Sequence, residues 1–341
     1  MTLKELGWNR HFSREFSKIK NKNLIPARVF SEQKKSYLLF SKEGEIKATA
    51  RGALWHQKKS DQETPVVGDW VTVQYLSEKD RALIQSILPR KSSFSRRTAG
   101  GRKKFSGGML SEQIIAANID IALIVVGLDR DYNLRRIERY MALVRSSGAS
   151  AMIILNKADL CENRLSVKKE VLRVVNDIPV ITMVALKKSN VMILNTLIKP
   201  GQTAALLGSS GVGKSTIINQ LIGYDRQKIL AVSEHDGKGQ HATSRRELII
   251  VPKGWLIMDN PGMREIQLWA DEDDLFEAFP DIKKLAMECK FRDCMHHTEP
   301  GCSVREALKN GRLDKARLQN YQKMKLEVNR LSDQLKTSKS S

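Results

Sequence analysis

Five short stretches near the amino terminus, residues 25–30, 36–40, 46–51, 70–75 and 82–87, set apolar and β-branched positions between polar turns. That is the pattern of short strands, and Val67-Gly68-Asp69 is a turn leading into the fourth of them. Together they predict a small barrel. Farther on, residues 119–126 and 151–155 are continuous apolar runs. Between them Leu134, Ile137, Tyr140, Met141 and Val144 recur at helical spacing, predicting a helix over 133–147 and hence a strand–helix–strand unit. Residues 202–207 and 255–258 predict two more buried strands, and 216–222 a helix after the first. A long helical pattern over 313–335 sets Leu318, Tyr321, Met324, Lys325 and Val328 on or near one face, and 336–341 reads as a disordered tail.

The loop between the strand at 202–207 and its helix is Gly208, Ser209, Ser210, Gly211, Val212, Gly213, Lys214, Ser215, then Thr216. Glycines let the backbone curl until successive N–H groups face phosphate oxygens, and the helix adds its positive end. Lys214 supplies a charge for the β- and γ-phosphates, and Ser215 a hydroxyl for Mg²⁺. Asn156, Lys157, Ala158 and Asp159 follow the strand at 151–155, at the edge where ligands of open α/β sheets bind. The Asp159 carboxylate can accept two hydrogen bonds from the guanine N1–H and amine, a pair adenine does not offer. The strand at 255–258 ends in Asp259-Asn260-Pro261-Gly262: Asp259 can hold Mg²⁺ through water and the Gly262 N–H can meet a γ-phosphate. Between lies a polar, Gly-rich stretch, 236–246, with the character of a switch loop; Thr243 is the expected second hydroxyl on Mg²⁺, with Ser244 its competitor.

Cys289, Cys294 and Cys302 lie close together with His296 and His297, and three thiolates with one imidazole form a closed zinc set. The turn at Pro300-Gly301 brings Cys302 back. A disulfide reading leaves one of three clustered thiols unpaired, and Cys161 stands apart. The 341 residues suffice for two or three domains, and the net charge of +20 calls for a polyanionic partner. Arg90, Lys91, Arg96, Arg97, Arg102, Lys103 and Lys104 gather with Phe94 in an expected loop suited to nucleic acid. No segment has the length and apolarity of a membrane span. A cytoplasmic monomer is expected.

The order of the motifs is reversed, since the guanine reader precedes the phosphate loop. In this order, with Pro89-Arg90-Lys91-Ser92-Ser93-Phe94-Ser95-Arg96, Gly237 to Thr243, Asp259 to Gly262 and the cysteine cluster, the chain resembles the RsgA (YjeQ/YloQ) family of circularly permuted GTPases. The resemblance runs from about Arg28 to Cys302. It implies an α/β permuted P-loop GTPase domain (101–272) between an amino-terminal OB-fold barrel (1–100) that binds RNA and a carboxy-terminal, mainly helical zinc domain (273–341). It also implies GTP hydrolysis stimulated by the small (30S) ribosomal subunit during its late assembly, with that subunit and its rRNA as partners. Within it, His241 of the switch loop substitutes for the usual water-orienting glutamine, where Met263 stands, and His296 is favoured as the fourth zinc ligand over His297. Val184-Ala185 stands where a Ser-Ala pair normally backs the guanine. A second reading is an RNA-binding assembly scaffold with GTP as a structural ligand, and a third, an ATPase or kinase, makes residues 156–159 accidental.

Overall fold

The computed structural model describes residues 1–33, 36–50, 64–76, 81–98, 111–130, 132–175, 177–224, 247–259, 275–276 and 278–339. Helix α1 (Arg10–Ser17), with Asn9 accepting from the His11 N–H as its N-cap, packs Phe12 and the neighbouring Trp8 against Trp70. The strands that follow are β1 (Ile25–Gln33), β2 (Ser36–Ser41), β3 (Gly44–Ala50), β4 (Trp70–Tyr75) and β5 (Arg81–Ile87). Each neighbour pair in the order β1-β2-β3-β5-β4 is hydrogen-bonded, and β4 returns to β1 with Ile25 opposite Val73. β3 and β5 run parallel and the other pairs antiparallel. This is the closed five-stranded barrel of the OB-fold. Alternate residues, among them Val29, Leu39, Ile46, Val71 and Ile84, fill its interior, as the period of two requires.

The basic stretch after β5 differs from the loop expected of it. Residues 93–98 form β6 (Ser93–Thr98), which pairs antiparallel with β7 (Ser111–Ala117). Phe94 is 1% exposed, a core side chain and no stacking platform. Arg90 makes a two-pronged ion pair with buried Asp69, 2.7 Å at each prong, and Lys91 pairs with Asp120. These two cations are committed to internal partners. Residues 102–104 lie outside the described residues.

The central sheet is built from β8 (Ile121–Gly127), β9 (Ser150–Asn156), β10 (Val180–Thr182), β11 (Thr203–Leu207), β12 (Glu247–Ile250) and β13 (Leu256–Asp259), in the order β10-β9-β8-β11-β13-β12. All neighbours are parallel except β12 against β13. The apolar runs are continuous because both faces are covered. From β8, Leu123 and Val125 enter the core that holds Ile217 and Ile218, whereas Ile124 and Val126 enter the one that holds Ile137 and Met141. The covering helices are α2 (Leu134–Ser147), capped by the Asn133 side chain, α3 (Arg164–Val175), the short α4 (Lys188–Met192) and α5 (Leu194–Leu197), and α6 (Lys214–Ile222).

Strand pairing and a buried arginine join barrel and sheet. Ser31 of β1 pairs with Glu247 of β12, making one continuous eleven-stranded sheet. Arg28 of β1 is fully buried and donates to the carbonyls of Leu6, Gly68 and Asn118 and to Thr203 Oγ1 at the start of β11. Burial pushes its guanidinium down to about 10, still charged at neutral pH.

The carboxy-terminal module comprises α7 (Pro280–Met287), α8 (Ser303–Lys309) and α9 (Lys315–Lys339). Leu318, Tyr321, Met324 and Val328 of α9 are buried, on the face the spacing picks out. The helix continues through 336–339, where the sequence reads as tail.

Candidate functional site

The parallel strands bring the ends of β8, β9, β10, β11 and β13 to one edge, and with them most of the residues singled out by sequence. Asn156 is the last residue of β9 and is 2% exposed. Its Nδ2 donates to the Val212 carbonyl in the Gly-rich loop at 2.8 Å, and its Oδ1 accepts from the Ala185 N–H at 2.8 Å. One amide thus ties the loop after β11 to the loop after β10. The Ala185 N–H, where a base-oxygen contact is expected, is engaged by Asn156 instead. Its neighbour Val184 donates its own N–H to Asn190 Oδ1.

The loop itself is shaped by close approach. A Cβ at Gly208 would stand 2.3 Å from the Val125 carbonyl, and Gly208, Gly211 and Gly213 all have positive φ. Helix α6 begins at Lys214, so its first turn and positive dipole end face the loop. Lys214 Nζ lies across the loop, donating to the Gly208 and Ser209 carbonyls at 2.7 and 2.5 Å. Ser215 and Thr216 occupy the first turn of α6.

Lys157 sits in the left-handed region with φ of 59°, and its Nζ meets Asp129 Oδ2 at 2.5 Å. Ala158 is buried, and Asp159 is exposed on a short 3₁₀ turn. Asp159 also lines an open cavity of about 540 Å³ with Cys161, Arg164 and Leu165. Asp259 ends β13, one strand from the loop. His241, Thr243, Gly262 and Met263 lie outside the described residues.

Two residues at this edge escape a motif reading. Asp129, just after β8, anchors Lys157, and Arg136 of α2 donates to Ser209 Oγ at 2.6 Å. Neither belongs to a recognisable spacing; only the strand order brings them in.

In the carboxy-terminal module, Cys289, Cys294, His296 and Cys302 hold their ligand atoms within 4.8 Å of one another. Sγ of Cys289 and Cys302 are 3.9 Å apart, and His296 Nδ1 is 3.7 and 3.4 Å from them. Tetrahedral Zn–S bonds of about 2.3 Å put sulfur atoms about 3.8 Å apart, so the donor set and spacing both suit zinc. The His296 backbone has φ of 62°, and burial pulls the imidazole pKa down, favouring the neutral form that ligates metal. His297 is exposed and outside the cluster. The Glu299 carboxylate accepts from the N–H groups of Met295, His297 and Thr298, fixing this turn.

Residues 87–269, more than half of the chain, match the model of the RsgA GTPase family. The chain is 44% identical over 336 residues to the small ribosomal subunit biogenesis GTPase RsgA of Opitutus terrae, covering 96% of this chain and 90% of that protein. It is 41% identical to the protein of the same name from Syntrophotalea carbinolica, with the same coverage. Among solved structures it is similar in fold to YjeQ from Thermotoga maritima (TM-score 0.65, 23% identity, 89% of this chain and 98% of that one). It is similar also to YloQ, a circularly permuted GTPase (TM-score 0.63, 22% identity, 91% and 96%).

Proposed function

The chain belongs to the RsgA GTPase family, and we propose that it hydrolyses GTP to GDP and phosphate in the service of late assembly of the small (30S) ribosomal subunit. The observation that carries the nucleotide reading is the Asn156 bridge: the tetrapeptide suited to guanine and the loop suited to phosphates share one side chain. The ribosomal part rests on relatives named for that role at more than 40% identity over nearly their whole length, and on the net charge of +20.

In this reading the backbone N–H groups of residues 208–213 and the start of α6 receive the phosphates. Lys214 turns from the loop carbonyls to the β,γ-phosphate oxygens. Asp159 accepts from the guanine edge, and the stem of Lys157, anchored by Asp129, covers the base. Ser215 and Thr243 would hold Mg²⁺, which neutralises charge on the phosphate oxygens. Thr216, Asp259 and Gly262 complete the phosphate side, and His241 orients the attacking water as a neutral imidazole. Cys289, Cys294, His296 and Cys302 would hold one zinc ion as a structural clamp, since four protein ligands leave no position for water. The functional units are 1–100, 101–272 and 273–341, in a cytoplasmic monomer whose partner is the small subunit with its rRNA.

Phosphate release measured with and without purified small subunits tests the whole reading. Strong stimulation that is lost in Ser215→Ala is expected; no release under either condition sinks it in favour of a scaffold. Asp159→Asn should weaken GTP and improve binding of xanthosine nucleotides, whose base offers the complementary edge. Unchanged GTP affinity in that variant contradicts the role given to Asp159.

A further inference from the structure

Helix α2 has two working sides. On one, Arg135, Glu138 and Arg139, spaced to share a face, hold the carboxy-terminal module. Arg135 donates to Asp314, and Arg139 makes a two-pronged pair with Glu327 at 2.9 and 2.7 Å. Glu138 is 2% exposed, and its two oxygens accept from Arg135, Arg317 and Asn320. Arg317 in turn grips Asp281 of α7 with two bonds of 2.6 Å and lies over the Phe279 ring. Glu138 and Arg317 form the buried centre of this network and are held by matched hydrogen bonds, while Asp281, Asp314, Arg139 and Glu327 lie at its partly exposed rim. One residue along, turned by about a quarter of the helix circumference, Arg136 donates to Ser209 in the phosphate loop at 2.6 Å.

We infer that Arg136 is a positioning residue for the phosphate loop, and that α2 transmits the state of the carboxy-terminal module to that loop through it. The inference rests on the nucleotide reading above for its consequence, but its geometry does not depend on a bound nucleotide. A helix of fourteen residues moves as a rigid rod over the few ångströms between Arg136 and Arg139. Whatever shifts α9 therefore shifts the guanidinium on Ser209. A phosphate cradle depends on the aim of its N–H groups to within about half an ångström, so a small rotation of α2 changes how well the loop receives its anion. The contact is polar and directional at both ends of the link, which makes it breakable by single substitutions.

Two readouts separate this inference from the nucleotide reading. The first is amide hydrogen exchange of residues 208–213 in the full-length, nucleotide-free protein. Arg136→Met, which keeps the stem and removes the donors, should speed that exchange on the order of tenfold, the size of one charge-assisted hydrogen bond. Arg136→Lys, which restores one donor, should recover most of the protection. Glu327→Gln, remote from the loop, should speed the same amides by less and should add nothing in the Arg136→Met background. The second readout is GTP and GDP affinity, which should fall in parallel with loop protection while the preference for guanine over adenine stays as in the wild type. Loop exchange indifferent to Arg136→Met, equal loss in the Met and Lys variants, or additive effects of Arg136→Met and Glu327→Gln would each overturn the inference. A coupled loop in a protein that takes no GTP upholds the wiring and refutes the nucleotide reading instead.

Discussion

At Gly213 an added Cβ would stand 2.3 Å from the Asn156 Nδ2, and the backbone φ there is +101°. At Gly211, two residues earlier, φ is +79° but nothing lies within 4 Å of the same atom. The two glycines therefore fail in different ways. Gly211→Ala meets only the left-handed backbone penalty, about 1–2 kcal/mol, and leaves the Asn156 bridge standing. Gly213→Ala meets that penalty and must also expel the amide that joins the Val212 carbonyl to the Ala185 N–H. We expect Gly213→Ala to weaken guanine nucleotide binding by well over tenfold, with Gly211→Ala nearer the wild type. Titration of a fluorescent GDP analogue against both variants checks this, and equal losses contradict it. The example also marks what a motif can and cannot convey. Its glycines, Lys214 and Asp159 are legible from spacing, whereas the engagement of the Ala185 N–H is set by how the loop after β10 meets β9. No local pattern encodes that.

The link from β4 to β5 and onward turns on one ion pair. Asp69 lies in the turn before β4, wholly buried, and accepts two bonds from Arg90, which follows β5, and one from the Val66 N–H. Burial pushes the Asp69 carboxyl above its ordinary range, against the pull of Arg90. The folded state then holds this proton more tightly than the unfolded chain does. Stability contributed here falls as pH rises from the unfolded carboxylate value, about 3.9, through the raised folded value. Arg90→Met removes the counter-charge and raises the folded value further. The variant should be destabilised by about 3–5 kcal/mol near neutral pH, with the deficit shrinking toward pH 4. Urea unfolding of both proteins across that range tests it; a deficit independent of pH rules out Asp69 as its source. Arg90 also shows where a charge count misleads. A cluster of lysines and arginines among serines and glycines reads as an open nucleic-acid loop, but β6 and β7 pair there, Phe94 is buried and two of the cations have internal partners. The long apolar runs of β8, β9 and β11 were legible because both faces of the sheet are covered. β12 is short and half-buried, and gives no comparable signal.

In the whole molecule the reversed motif order decides what the chain after α6 and after β13 leads to. The segment after α6 returns as β12, which pairs with β1 of the barrel, and the segment after β13 leads to the carboxy-terminal module. That module is small, and its loop is braced by the cysteine cluster on one side and α9 on the other. The Tyr321 ring lies 6.4 Å from the His296 ring and packs on Phe276 and Phe279. Gln322 Nε2 donates to the His296 carbonyl at 3.3 Å. With zinc bound, four deprotonated or neutral ligands close the loop at 289–302, and the binding free energy becomes folding free energy for the module. Without it, two buried thiols and a buried imidazole have no common partner, and the hold of the loop on Tyr321 should loosen. Chelation at neutral pH, or Cys302→Ser, should therefore split unfolding into two transitions, an early one for residues 275–339 and a later one for the remainder. Limited proteolysis should cut first between 289 and 302. Calorimetry with zinc analysis by emission spectroscopy provides the measurement. A protein that carries one zinc per chain yet melts identically after its removal would show that the helices, and not the cluster, hold the module on α2.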